Sequence, residues 1–167
     1  MGIRYYAYAF DSDRTDEALR DPDSVLGPDP FADGMGIPRG ARSGITDFQQ
    51  SLPEEDMLYL DKAWYELQRL TWPEECIREA RPAFRMFEGS VRMCPGGGCW
   101  ESWKRVIVPE DVKDIAVDLS LLAQELRTGA TRVSDGRDER ITRCVERAST
   151  FVDGVATRGR GFVYMIG

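Results

Sequence analysis

A chain of 167 residues, 42% hydrophobic and 31% charged, is long enough to bury one core and charged enough to keep a solvated surface. It carries no histidine, which excludes Ser-His-Asp and Cys-His nucleophiles and imidazole-ligated metals, and leaves acid-base chemistry to carboxylates, Tyr, Lys or Cys. A net charge of −7 without a basic stripe speaks against nucleic acid and anionic membranes as partners, and no apolar run approaches the roughly 18 residues of a spanning helix.

The opening IRYYAYAF alternates. Arg4, Tyr6, Tyr8 and Phe10 fall on one side, Ile3, Tyr5, Ala7 and Ala9 on the other, so residues 3–9 read as a strand. This start lacks the basic-then-apolar design of a secretory signal, which points to the cytoplasm and to free thiols on the cysteines. Asp11 or Asp13 can cap a short helix running to about Arg20. Residues 21–47, dense in Pro, Gly and Asp, read as a long loop. Between positions 11 and 33 stand Asp11, Asp13, Asp16, Glu17, Asp21, Asp23, Asp29 and Asp33 against only Arg14 and Arg20, so most of the excess negative charge sits in one early segment. Such a cluster either keeps a protein soluble or meets a basic partner.

In MLYLDKAWYELQRLTW, Leu60, Ala63, Trp64, Leu67 and Leu70 or Thr71 recur at helical spacing, with Asp61 placed as N-cap. Val91–Met93 and Trp100–Val106 read as two strands of a hairpin. Pro109 opens the clearest helix, whose apolar stripe is Val112, Ile115, Ala116, Leu119, Leu122 and Leu126. Ile141, Val145, Ala148, Val152 and Val155 mark another helix ending near Gly159, and GFVYMIG closes the chain as a short apolar strand. The expected fold is α+β. It is a single domain over residues 1–167, with a mixed or antiparallel sheet including both terminal strands, packed against three main helices.

MCPGGGCW holds the most conspicuous motif. Structural zinc takes four ligands, usually as two C-x2-C pairs, whereas Cys94 and Cys99 are spaced C-x4-C and Cys76 and Cys144 lie far off singly. A phosphate loop fails because Gly98 is followed by Cys99, Trp100 and Glu101 rather than Lys and Ser or Thr. Two readings stay open: a glycine-rich hairpin turn over residues 94–99, and a thiol pair, Cys94 and Cys99, able to close the hairpin. DSDRTDEALRD fails as a calcium loop, since Asp16 stands where Gly is needed and Pro22 where Glu is needed. RGRG, residues 158–161, reads as an anion site at Arg158 and Arg160 or as a helix end at Gly159. No metal and no cofactor is expected.

Four segments, MGIRYYAY, MLYLDKAWYELQRLT, RPAFRMFEGSV and GRGFVYMIG, together resemble the YfbM-like family of bacterial proteins of unassigned function. VPEDVKDIAVDL fits the same order, so the resemblance runs end to end. LDKAW, Leu60–Trp64, is its most specific element, and Gly89 of FEG supports it. The resemblance implies a single α+β domain with a strand-helix element at MLYLDKAWYELQRLT. Relatives commonly carry histidines after that tryptophan, in a pattern W-H-x-L-H, where this chain has Tyr65 and Gln68. Any chemistry of those histidines is absent or altered here. CPGGGC looks like a local elaboration outside the family's common pattern.

Two functions follow as expectations. The first is a cytoplasmic, non-enzymatic protein-binding or accessory module, for instance of immunity type, meeting a basic protein partner through its acidic early segment. The alternative is a small-molecule binder or enzyme with a pocket near the Leu60–Trp64 helix start, built from Tyr6, Tyr8, Asp61, Lys62, Trp64, Tyr65 and Glu88. Asp61 has the competing role of helix cap, and the aromatic residues that of core.

Overall fold

The computed structural model describes residues 3–27, 42–43, 46–47, 53–72, 79–98, 100–131 and 138–167. Strand β1 (Tyr5–Phe10) leads through a 3-10 turn (Ser12–Arg14) into helix α1 (Thr15–Arg20) and a second 3-10 turn (Pro22–Val25). Short strands β2 (Arg42–Ser43) and β3 (Thr46–Asp47) precede β4 (Met57–Asp61) and α2 (Trp64–Thr71). A 3-10 segment (Pro82–Met86), strands β5 (Arg92–Met93), β6 (Trp100–Glu101) and β7 (Trp103–Ile107), and helices α3 (Pro109–Thr128) and α4 (Asp138–Thr157) lead to β8 (Gly161–Ile166).

The main sheet is antiparallel in the order β4-β1-β8-β7. β1 and β8, the strands at either end of the sequence, lie side by side in its middle, in register from Tyr5↔Ile166 to Phe10↔Gly161. All six residues of β1 are buried, because both faces of the sheet are covered. Alternation sorts them. Tyr5, Ala7 and Ala9 join Leu58, Leu60, Phe162 and Tyr164 against α3 and α4, while Phe10 and Val163 meet Ala18 and Val25 on the opposite face. The fold is thus the expected single-domain α+β, with the sheet wholly antiparallel.

The apolar stripes of the two long helices form the core as their spacing predicts. Val112, Ile115, Leu119 and Leu122 of α3 and Ile141, Val145, Ala148, Val152 and Val155 of α4 are all fully buried. Each of these Val, Ile and Leu side chains contributes about 1.5–3 kcal/mol over an exposed one. α3 starts at Pro109 with Glu110 and Asp111 in its first turn and Arg127 in its last, which suits the helix dipole. It stops at Gly129, whose φ of 71° lets the Gly129 and Ala130 amides return to carbonyls of the last turn.

Two local expectations need correction. Residues 57–61 are the strand of a strand-helix element, and Leu60 belongs to that strand rather than to the helical series, because Leu58 and Leu60 alternate into the core beside Ala7. Asp61 is consequently no N-cap: it turns the chain out of β4 with φ +48°, and Ala63 occupies the cap without a side-chain bond. The segment 21–47 is not structureless where described. Asp21 accepts the Asp23 amide to cap the 3-10 turn at Pro22–Val25, and β2 pairs with β3 through Arg42↔Asp47.

Asp118 pins the 3-10 segment to α3. Its Oδ2 accepts the Ala83 amide at 2.9 Å, and its Oδ1 accepts Arg81 Nε at 2.9 Å. Arg81 reaches on to Glu125 at 2.8 Å and holds that carboxyl below the usual range.

Candidate functional site

Segments remote in sequence converge on one clasp. The Tyr5 hydroxyl donates to Met86 O at 2.9 Å, the Tyr164 hydroxyl to Glu88 O at 2.7 Å, and Gln68 Nε2 to Phe87 O at 2.8 Å and Gly89 O at 3.0 Å. Tyr5 and Tyr164 stack at 5.4 Å beneath this stretch. Burial pushes both phenols up, so they remain neutral donors rather than bases. The clasp therefore fixes the FEG main chain and offers no acid-base pair. Gln68 is half-buried, and its amide does structural work here.

The sheet separates the residues of the expected pocket. Tyr6 and Tyr8 are buried on the face away from α3 and α4, whereas Trp64 packs against the main core and Tyr164 holds Glu88 from that same side. Tyr6 lies against Tyr59 at 5.3 Å, and Tyr59 donates to Asp61 Oδ1 at 3.1 Å, which Arg4 Nε also approaches at 3.3 Å. Burial first, then that bond to Asp61, raises the Tyr59 phenol. Trp64 meets Tyr65 edge-on at 5.9 Å, Tyr65 is 54% exposed, Lys62 is exposed on the turn, and the Glu88 carboxylate pairs with Arg105. Tyr6 thus reaches Asp61 through Tyr59, and Trp64 reaches Tyr65, with the sheet between the two groups.

The acidic segment folds into a knuckle of two 3-10 turns and a short helix. Ala18 and Val25 anchor it on Phe10 and Val163, leaving Asp11, Asp13, Asp16, Asp21 and Asp23 exposed. Part of the charge is answered within the chain: Asp11 meets Arg160 at 2.8 Å, Asp23 meets Lys104, and Arg14 holds the Glu17 carboxyl below its usual range. Asp13 and Asp16 form no ion pair among the described residues. Leu19, 55% exposed, lies on the same short helix. Asp29 and Asp33 fall outside the described residues.

Gly96, Gly97 and Gly98 all take positive φ, and Gly97 N–H donates to Cys94 O at 3.0 Å, so the turn reading holds for the glycines. Cys94 is disulfide-bonded, against the expectation of free thiols throughout; Cys99 lies outside the described residues. Cys144 is free and half-buried, with its thiol pushed up by burial. In RGRG, Gly159 ends α4 with φ +62°, and Arg158 and Arg160 meet the chain's own Asp56 at 3.1 and 2.6 Å. Among the described residues no cluster of three or more His, Cys, Asp or Glu is placed to hold a metal ion, and no helix is long and apolar enough to cross a membrane.

A cavity of about 750 Å³ opens between β4 and α4, lined in part by Met57, Phe151, Arg143 and Arg147. The sequence pattern did not disclose it, because the two arginines sit on the polar face of an amphipathic helix. No protein-family model, curated protein or solved structure matches the chain.

Proposed function

We propose that the chain is a YfbM-like protein-binding module, an accessory protein rather than an enzyme, whose acidic knuckle docks a basic protein partner. The observation that carries this reading is the exposed pair Asp13 and Asp16, unpaired among the described residues and set beside the exposed Leu19. Unanswered carboxylates around one apolar residue suit a partner with arginine or lysine flanking a small apolar hollow, and speed its approach by charge. The same charge disfavours nucleic acid. The alternative pocket near Leu60–Trp64 has less support, since the sheet divides its residues. Cytoplasmic residence belongs to the proposal, and the disulfide at Cys94 is the feature that weighs against it; fractionation of native cells decides.

Affinity capture from native cells with the natural chain and with D13K/D16K/L19E tests the reading, followed by titration of the purified partner. All three positions are exposed, so the variant keeps the fold. A partner bound by the natural chain, more weakly at high salt and not by the variant, supports the proposal. A partner retained equally by both sinks it.

A further inference from the structure

The cavity between β4 and α4 has the makings of a small-molecule site. Its volume of about 750 Å³ lies within the range of about 300–1,000 Å³ typical of such sites. The floor is apolar, from Met57, Leu58 and Phe151. Gly154 also lines it, in the last turn of α4, where glycine costs up to about 1 kcal/mol relative to alanine. The absent side chain leaves room beside the floor.

Arg143 and Arg147 stand one helical turn apart at the rim, both exposed. Like charges at this spacing weaken a helix by a few tenths of a kcal/mol. Neighbouring arginines have carboxylates to answer them: Arg158 meets Asp56, and Arg140 meets Glu66 at 3.3 Å. Among the described residues Arg143 bonds only the Glu139 carbonyl of its own helix, at 3.4 Å, and neither Arg143 nor Arg147 forms an ion pair. Of the acidic residues lining the cavity, Glu146 is drawn to Arg127 at 3.8 Å, and Glu55 is the other. Two unanswered guanidiniums can grip one carboxylate through paired charge-assisted bonds. Glu55 and Glu146 would repel a second anionic group, which limits the ligand to one.

We propose that this cleft binds a small organic monoanion, a carboxylate carried on an apolar body, with Arg143 and Arg147 on the carboxylate and Met57, Leu58 and Phe151 against the body. This site is separate from the acidic knuckle and does not depend on its role. Calorimetric titration of the full chain tests it with three probes: octanoate, 1-octanol as the body without the charge, and inorganic phosphate as the charge without the body. Saturable binding of octanoate is expected, with octanol and phosphate each about tenfold weaker or more. R143Q/R147Q should cut octanoate binding about tenfold or more, and Gly154→Leu, filling the cleft from its floor, should do the same while thermal unfolding shows both variants folded. No saturable octanoate binding, equal binding of octanol or phosphate, or full binding by R143Q/R147Q overturns the proposal.

Discussion

The indole of Trp103 lies where a side chain on residue 89 would begin: a Cβ built on Gly89 falls 2.4 Å from Trp103 Cδ1 and Nε1. Gly89 also holds φ +124°, a conformation that L side chains rarely adopt. Gly89→Ala therefore adds overlap to backbone strain and should cost about 2–4 kcal/mol in urea unfolding. Trp103→Leu removes the overlap but not the strain. The double variant should accordingly be more stable than the sum of the single losses predicts, by about 1 kcal/mol.

Asp118 joins two segments that are remote in sequence, and its removal strands both partners. Asp118→Ala leaves the buried Ala83 amide without its acceptor and Arg81 with Glu125 alone. The expected loss is about 3 kcal/mol, or roughly 6–12 °C in a thermal melt for a domain of this size. Asp118→Asn keeps an acceptor for Ala83 and should lose about half as much.

The buried phenols set an alkaline limit on stability. Tyr5 and Tyr164 are raised above their ordinary value of 10.0 by burial, so the unfolded chain ionises them before the folded one does. Their contribution is whole below pH 10 and is lost as pH climbs beyond it. Glu125 has the opposite sign. Arg81 lowers it below 4.5, so its contribution is present above pH 4.5 and fades as pH falls. Denaturation midpoints against pH should show both declines, and ultraviolet titration of the chain's six tyrosines should show Tyr5 and Tyr164 ionising only on unfolding. Tyr164→Phe should leave Tyr5 as the delayed phenol of the clasp.

Gly154 offers a gain rather than a loss. A Cβ there would meet only Arg158 Nη2, at an ordinary 3.6 Å. Gly154→Ala should raise stability by about 0.5–1 kcal/mol, seen as a higher melting temperature.

How far the sequence discloses this molecule depends on the element. α3 and α4 are legible because each carries its apolar stripe over about four turns, and the alternation of IRYYAYAF correctly assigns Tyr5 and Tyr6 to opposite faces of β1. β4 is obscured because Leu60 serves two periods at once. It continues the alternation of Leu58, yet also stands three, four and seven residues before Ala63, Trp64 and Leu67 of the helical series. The break falls at Asp61, whose left-handed conformation no periodicity reveals. Charge clustering makes the knuckle visible in composition alone. Nothing local tells Arg143 and Arg147 from ordinary solvated arginines; the placement of β4 opposite them makes a cleft. The expected pocket dispersed for a similar reason, since alternation places Tyr6 and Tyr8 on one face but cannot say which face receives Trp64.

The position of β8 between β1 and β7 has a consequence for biosynthesis. On the ribosome β1 and β4 emerge early and β7 later, but the strand that bonds β1 to β7 is made last of the four. Until then a nascent chain holds two hydrogen-bonding edges open, each inviting pairing with another chain. The sheet closes through contacts between residues more than 150 positions apart, the class of contact that forms slowly. Chaperone capture is most useful in that interval, and substitutions within Gly161–Ile166 should lower the yield of folded protein more than their effect on final stability predicts.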